Sequence, residues 1–333
     1  MTVRLIHTTG PLHANTPNPV FTTINPDEID HFSRLSSEWW NSSGEFSLLH
    51  KMNPVRVEYI RQKVAWDTRD EADWTFEGRG LDRKREEARG CGGGLLSESL
   101  ARLGGEVVGV DASESNINIA RLHASRDPVL PYSLPPLKLA SSSSWFSRQR
   151  LSRDTGSTAG SSAGSAAGSL EYRHTSAEAL RDGGEAFDLV CAMEVLEHVD
   201  EPGEFLRCLG EMVKPGGHLI VSTISRTPLS QLLTLTVAES LLRLVTPGTH
   251  TFAKFVKPTE LRQFVYAQMG GFETWEENED AGDVRRNEVG ETRGIVFDPV
   301  RGGWRLWPGV EGSWGKEWGE GCNYLFHARK RRL

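Results

Sequence analysis

The sequence is poor in cysteine, in basic charge and in long apolar runs. Its four cysteines among 333 residues form no CxxC pair, which favours free thiols over a disulfide framework or a zinc site. The formal net charge of −7 argues against nucleic acid as a partner, because nucleic-acid-binding proteins present a basic surface. No uninterrupted apolar run reaches about 18 residues, so no transmembrane helix is predicted.

The beginning of the chain is also unusual in its charge. The first 26 residues contain no acidic residue, and Arg4 is their only strongly basic one. Organelle transit peptides avoid acidic residues but are usually rich in arginine, so the match is partial. We therefore predict that residues 1–24 are a disordered leader or a partial transit peptide.

A stretch of low sequence complexity lies in the middle of the chain. Residues 155–169 consist entirely of Ser, Gly, Ala and Thr, and residues 141–144 are four serines. Such a composition cannot bury enough apolar surface to offset the entropy lost on ordering. We predict a disordered Ser/Gly-rich insertion over 126–169. It separates lid helices and the first half of a domain, within 25–125, from the second half, within 170–330.

Outside these stretches the chain alternates helical and strand patterns. An amphipathic helix is predicted over Asp27–Trp40, and a second helix from Pro54 to about Val64. The alternation predicts an α/β domain with a mostly parallel, doubly wound sheet and antiparallel strands at its C-terminal end. Further strands are predicted at 107–111, 187–192, 218–223, 295–300, 304–307 and 322–328, and a loop at 276–293.

A glycine-rich turn and an acidic residue frame a helix predicted over Leu95–Leu103. The turn, Arg89–Gly94, lets a ligand approach the backbone closely, and Asp111 ends the strand that follows the helix. This order is typical of a Rossmann-like βαβ unit, in which the acid accepts both hydroxyls of a ribose. It fits NAD, FAD or S-adenosylmethionine, and the R-G-C-G-G-G spacing favours a ligand without a pyrophosphate. The alternative is a flexible turn followed by a solvated strand end.

Two carboxylates and an imidazole follow the predicted strand at 187–192. Glu194, Glu197 and His198 stand at i, i+3 and i+4, so they share one face if a helical turn follows the strand. Such a face could bind a divalent metal or accept a proton from a substrate hydroxyl. The alternative is a solvated first helical turn, where acidic residues are favoured by the helix dipole.

Several ordered motifs together resemble one enzyme family. They are HFSRLSSEWW, GEFSLLHKMNPVR, GCGGGLLSESLARLG, EVVGVDAS, CAMEVLEHV, VKPGGHLIVSTI, TPGTH and FVKP. The chain resembles the ubiquinone-biosynthesis O-methyltransferases over most of residues 25–328. The resemblance implies a class I methyltransferase fold with an N-terminal helical lid. It also implies methyl transfer from S-adenosylmethionine to polyprenylated catechols.

The resemblance also implies roles for the ligand-binding residues. Arg56 would reach the carboxylate of S-adenosylmethionine, Gly90 would line its methionine portion, Asp111 would hold the ribose and Met193 would pack near the adenine. Taken without the family, Arg56 would be a surface cation and Met193 a core residue.

The same resemblance makes Glu194, Glu197 and His198 the ligands of Mg²⁺ or another divalent cation. Glu194 and His198 are then the catalytic candidates. The metal or a carboxylate would lower the pKa of one catechol hydroxyl, or His198 would act as the general base.

A strongly apolar segment, Leu229–Val245, suggests contact with a membrane. In the resembling family this segment belongs to an insertion that touches lipid, and an enzyme acting on prenylated precursors needs such a surface. The alternative is a buried helix. The resemblance and the partial leader imply a peripheral protein on the matrix side of the mitochondrial inner membrane, within a coenzyme Q biosynthetic complex.

One segment departs from the family. A central parallel strand should be almost continuously apolar, but residues 81–89, which precede Gly90, are rich in charge. We expect the first strand to be missing or badly formed, or the sequence to be locally corrupted, and S-adenosylmethionine binding to be weak or absent. The rival functions are a catalytically impaired homologue with a scaffold or lipid-docking role, and a methyltransferase for another phenol.

Overall fold

The computed structural model describes residues 22–67, 85–132, 168–233, 251–277, 284–307 and 319–332. Three sequence predictions therefore lie wholly or largely outside the described residues. They concern the leader, most of the Ser/Gly-rich insertion, and the apolar segment beyond residue 233.

The described part of the chain contains ten strands and eight α-helices, besides short 3-10 and π-helical turns. The strands are β1 Arg85–Arg89, β2 Glu106–Asp111, β3 Ser169–His174, β4 Phe187–Met193, β5 Val213–Ile224, β6 Thr274–Glu277, β7 Val284–Val289, β8 Glu291–Asp298, β9 Gly303–Leu306 and β10 Asn323–Arg329. The helices are α1 Pro26–Arg34, α2 Ser47–Asp67, α3 Leu95–Arg102, α4 Glu114–Arg126, α5 Ala177–Asp182, α6 Pro202–Met212, α7 Pro228–Ser230 and α8 Pro258–Phe264.

Eight strands form one mixed sheet in the order β3-β2-β1-β4-β5-β10-β8-β9. The first five are parallel, whereas β10 runs antiparallel to both β5 and β8, and β8 and β9 form an antiparallel hairpin. The predicted α/β class, with a parallel sheet extended by C-terminal antiparallel strands, is therefore confirmed.

Helices cover both faces of this sheet. Along β4, Val190 and Ala192 belong to one buried apolar layer, and Leu189 and Cys191 belong to the other. This alternation follows from the two-residue period of a strand. Helices α5, α6 and α8 contribute to the first layer, and α2, α3 and α4 contribute to the second. Two apolar layers explain why β4 is an almost continuous apolar run.

The strand before the glycine turn is present. Residues Arg85–Arg89 form β1, which pairs in parallel with β2 on one side and with β4 on the other. The expectation that this strand is missing is therefore wrong. Its backbone hydrogen bonds are supplied by two neighbouring strands, and this pairing is non-local, so the side-chain pattern of β1 does not reveal it.

The N-terminal region forms helices as predicted, but with different bounds. Asn25 caps α1 by accepting hydrogen bonds from the N–H groups of Asp27 and Glu28, and the helix ends at Arg34. The predicted second helix begins at Ser47 and contains Pro54 in its interior. The sequence placed that proline in the first turn, where its missing N–H costs nothing.

The end of the chain departs most from the prediction. Residues 276–293 were expected to form a loop, but β6 and β7 pair as a two-stranded antiparallel sheet and β8 begins at Glu291. Within the described ranges, none of the helices combines the length and apolar character needed to span a bilayer. The four cysteines, all of which the structure describes, form no disulfide bond, as their spacing predicted.

Candidate active site

A cavity of about 710 Å³ lies at the carboxyl ends of the parallel strands. Because β1 lies between β2 and β4, the residues that follow these two strands meet at the same edge of the sheet. Asp111 at the end of β2 and Glu194 directly after β4 both line this cavity. The structure thus brings together the two acidic positions on which the sequence interpretation depended.

Asp111 is held by three hydrogen-bond donors. Its Oδ2 accepts from the backbone N–H of Gly92 at 2.9 Å, and its Oδ1 accepts from the N–H of Ser113 at 2.8 Å. The side-chain amide of Asn116 donates to the same Oδ1 at 3.3 Å. Burial raises the pKa of Asp111, while these hydrogen bonds act in the opposite direction. Asp111 is therefore a fixed, half-buried acceptor and not a solvated strand end.

The glycine turn is tightly packed. Gly90 and Gly92 have φ angles of 55° and 51°, in the left-handed region that favours glycine. A Cβ atom at Gly92 would lie 2.2 Å from the ring of Trp39, and one at Gly90 would lie 2.5 Å from a methyl group of Val195. Both glycines also line the cavity. The turn therefore has a defined conformation that larger residues would disrupt.

An aromatic pair from the N-terminal region covers the glycine turn. The rings of Trp39 and Phe46 stack with centroids 3.9 Å apart, and both residues line the cavity. The indole N–H of Trp39 donates to Asn116 at 3.0 Å, and Asn116 in turn donates to Asp111. The N-terminal segment is thus hydrogen-bonded, through one residue, to the acceptor at the end of β2, as expected of a lid.

Glu194 has a constrained backbone and a fully engaged carboxylate. Its φ of 54° is positive, which is uncommon for a residue with a side chain. Ser222 donates to its Oε1 at 2.6 Å, and the amide of Asn323 donates to its Oε2 at 3.1 Å. The guanidinium of Arg56 lies 3.3 Å from Oε1. Three neighbours from β5, β10 and α2 therefore orient this carboxylate.

Arg56 is a buried partner of Glu194. Only 5% of Arg56 is exposed, and it is outside the set of described residues that line the cavity. Burial lowers the pKa of Arg56, while the charge of Glu194 opposes this effect. The alternative that Arg56 is a surface cation is therefore wrong. Met193 lies at the end of β4, is also mostly buried, and lines the cavity.

Glu194, Glu197 and His198 do not share one helical face. The left-handed backbone of Glu194 ends the strand, and only Leu196–His198 form a short 3-10 turn. Glu197 is buried, and its Oε2 accepts a hydrogen bond from Thr223 at 2.8 Å. His198 instead lines the cavity. The predicted common face required an α-helical turn that the structure lacks.

The three predicted metal ligands are not grouped around a common point. Among the residues that the structure describes, no three His, Cys, Asp or Glu side chains are grouped closely enough to hold a metal ion. Glu194 is oriented by Arg56, Ser222 and Asn323, whereas Glu197 points to Thr223. The predicted metal ligands therefore do not fit a common ion in this arrangement.

His198 interacts with the lid. Its Nδ1 lies 3.1 Å from Oε2 of Glu28 on α1, and Lys254 lies 3.4 Å from the other oxygen of Glu28. Burial alone would lower the pKa of His198, but the hydrogen bond to Glu28 and the nearby carboxylates outweigh burial and raise it. The imidazole therefore has a carboxylate partner that orients it.

Several residues of the site were not predicted from the sequence. Glu28 lies in the acidic first turn of the predicted lid helix. The only features of the sequence that pointed to its role in the site were its charge and its place on a helix expected to cover that site. Glu178, which lines the cavity, accepts two hydrogen bonds from Thr23. Ser222 and Asn323 hold Glu194, but they lie 28 and 129 residues away in sequence.

The cavity walls are largely apolar. Their residues come from the lid, from the start of the predicted lipid-contacting segment and from the β8–β9 hairpin, and include Ile29, Phe32, Leu35, Leu229, Leu233, Phe297, Pro299 and Trp304. A cavity of this size matches those that enclose small organic ligands. The end of the cavity beside β2 presents polar groups on the glycine turn, and the end beside the β8–β9 hairpin, on the far side of the sheet, can take an apolar group.

The parallel sheet, the glycine turn and the acid at the end of β2 define a class I methyltransferase type of α/β domain. In agreement, residues 89–277 match a family described as a methyltransferase domain. The chain belongs to the ubiquinone biosynthesis O-methyltransferase family, as its similarity to curated relatives shows.

Three relatives illustrate this similarity, and each carries that family name. The protein of Mesorhizobium japonicum is 41% identical over 74% of this chain and 82% of its own length. The mitochondrial protein of Schizosaccharomyces pombe is 37% identical over 92% and 87%. The protein of Cereibacter sphaeroides is 36% identical over 85% and 91%.

Proposed function

We propose that this protein transfers a methyl group from S-adenosylmethionine to a hydroxyl of a polyprenylated catechol in ubiquinone biosynthesis. The family supplies the reaction class. The single structural observation that carries the proposal is the shared cavity, which joins Asp111 and the glycine turn to Glu194, His198 and an extensive apolar wall. The polar end suits the methyl donor, and the apolar end suits a prenylated acceptor.

The residues at the polar end fit S-adenosylmethionine. Asp111 is held by three donors at the strand end and can accept ribose hydroxyls, each such bond to a charged group being worth about 1.5–3 kcal/mol. Gly90 leaves room for the methionine portion, and Met193 offers an apolar contact to the adenine. Arg56 was expected to bind the carboxylate of the ligand, but it pairs with Glu194, so we propose that its role is to hold Glu194.

When bound, S-adenosylmethionine supplies an electrophilic methyl group. The task of the protein is then to hold a catechol oxygen in line with it, and such positioning can be worth effective molarities of about 10⁵–10⁸ M. Glu194 and His198 line the cavity and are the groups proposed to accept the hydroxyl proton or to stabilise its loss. Glu28 orients His198 through Nδ1.

Magnesium or another divalent cation is implied by the resemblance, but the side chains at Glu194, Glu197 and His198 do not fit a shared ion as they stand. We therefore assign no step to a metal. Dependence of activity on a divalent cation stays a prediction, and adding EDTA to the assay tests it.

We further propose a peripheral location on the matrix side of the mitochondrial inner membrane, with contact through about 229–245 and membership of a coenzyme Q biosynthetic complex. The relative from fission yeast is mitochondrial by name, which supports the organelle. Two exposed leucines in the described part of this segment, Leu232 and Leu233, support contact with an apolar partner.

A methyl-transfer assay tests the function directly. Labelled S-adenosylmethionine and a short-chain, water-soluble prenyl catechol are incubated with the protein, with and without EDTA. We expect methylated catechol as the product. Transfer only to unrelated phenols would support a different methyltransferase, and no transfer to any acceptor would support the impaired homologue. The comparisons give no support to the latter.

The ribose contact gives a matched pair of variants. Asp111→Asn should weaken binding of S-adenosylmethionine at least tenfold, because a neutral amide replaces a charged acceptor worth about 1.5–3 kcal/mol. Asp182→Asn makes the same change at an exposed residue outside the cavity lining and should leave the affinity unchanged. Equal affinities of the two variants, measured by calorimetry, would contradict the role of Asp111.

A further inference from the structure

The tip of the β8–β9 hairpin exposes apolar side chains to solvent. Val300 is 93% exposed, and Phe297, at the end of β8, is 38% exposed. Phe297 is paired with Trp304 across the hairpin, and their rings meet edge to face with centroids 5.6 Å apart. A short antiparallel hairpin therefore carries Val300 outward on a base fixed by two aromatic rings.

Two arginines accompany these apolar residues. Arg301 is next to Val300, Arg305 lies on β9, and both side chains are largely exposed. Both lie near the carboxylate of Asp298, at 4.0 Å and 3.9 Å respectively, so this one carboxylate faces two cations. On a chain whose formal net charge is −7, this tip combines local positive charge with apolar exposure.

The hairpin also forms part of the cavity wall. Phe297, Pro299 and Trp304 line the cavity together with Leu233, which comes from the beginning of the predicted lipid-contacting segment. Leu232 and Leu233 are themselves 52% and 41% exposed. Exposed apolar groups of two distant segments thus lie at the apolar end of one cavity.

We infer that the β8–β9 hairpin is a second membrane-docking element, which inserts Val300 among lipid chains and places Arg301 and Arg305 against anionic headgroups. This inference rests on the proposed function, since a prenylated acceptor resides in a bilayer. Interfacial binding combines buried apolar area with attraction of basic residues to anionic lipid, and the hairpin provides both. Docking at this end of the cavity lets an acceptor enter from lipid without crossing water.

Vesicle sedimentation tests the inference with the full chain. Vesicles of phosphatidylcholine containing phosphatidylglycerol are mixed with the wild-type protein, Val300→Asp and Val129→Asp. Val129 is also highly exposed, and it lies near β3, at the opposite edge of the sheet from the hairpin. We expect Val300→Asp to lower partitioning about tenfold or more, because an apolar side chain is lost to lipid. Val129→Asp should bind like the wild type.

Charge is tested separately. Removing Arg301 and Arg305 by substitution with Gln should lower partitioning roughly fivefold per residue on the anionic vesicles, and much less on phosphatidylcholine alone. Leu232→Glu with Leu233→Glu provides the comparison for the segment that the sequence predicted. Absence of wild-type binding, or equal binding of wild type, Val300→Asp and Val129→Asp, would overturn the inference. So would an effect of Val300→Asp on self-association alone, which would identify a protein contact.

Methyl transfer separates this inference from the proposed function. With a water-soluble catechol and no vesicles, Val300→Asp should be as active as the wild type, because Val300 does not line the cavity. With the acceptor embedded in vesicles, its activity should fall in parallel with its partitioning. If the wild-type protein methylates neither the soluble nor the embedded catechol, the proposed function is refuted. Vesicle binding that depends on Val300 would still support the docking element in that case.

Discussion

Replacing Arg56 by methionine tests how the site holds Glu194. The guanidinium of Arg56 lies 3.3 Å from the Glu194 carboxylate, and the two side chains are only 6% and 13% exposed. At an effective dielectric constant of about 20, charges at this separation attract by about 5 kcal/mol. Removing one partner leaves the other charge buried, which typically costs about 3–5 kcal/mol. We expect Arg56→Met to lower the free energy of unfolding by about 3 kcal/mol, at the lower end of this range, since Glu194 keeps Ser222 and Asn323 as donors.

The double variant identifies the cause of that loss. Arg56→Met combined with Glu194→Gln removes both charges and preserves an acceptor for Asn323, so it should recover most of the stability lost in Arg56→Met. Free energies of unfolding come from urea titrations followed by far-ultraviolet circular dichroism. Recovery in the double variant would measure the coupling between the two residues.

Arg61 provides a control on the same helix. Its pair with Glu58 has a similar separation, 3.2 Å, but both side chains are more than half exposed. Arg61→Met should therefore cost no more than about 0.5 kcal/mol. If Arg56→Met costs as little as Arg61→Met, or if Glu194→Gln fails to rescue it, charge compensation is not what Arg56 provides, and a direct contact with the ligand regains support.

A further prediction concerns a buried acid. Burial and the charge of Glu194 raise the pKa of Glu197 to about 7, so ionising it opposes folding. Its contribution to stability is complete below the unfolded pKa of about 4.5 and is lost as the pH rises through 7. Glu197→Gln should therefore gain stability over the wild type between pH 5 and pH 8 in thermal melts, and parallel curves would contradict this.

The parts of the fold that follow local rules were predictable from the sequence. The almost continuous apolar run of β4, the turn residues before α3 and the acid at the end of β2 each carry their own signal. The C-terminal strands β6 and β7 were missed because their residues are acidic and polar, and pairing between strands is decided by partners elsewhere in the chain. The same reason explains β1, whose charged residues argued against a strand that two neighbours nevertheless complete.

The sequence alone indicated the candidate residues, because a glycine turn, a strand-ending acid and an acidic and imidazole cluster are local patterns with defined spacing. The family followed from the resemblance of several ordered motifs along the chain. Tertiary structure decided which of those residues act together. In the folded chain the carboxylate of Glu194 contacts Arg56, Ser222 and Asn323. Glu197 is buried, and His198 contacts Glu28 of the lid. None of these contacts can be deduced from spacing, since each joins segments that meet only when the sheet and its helices have assembled.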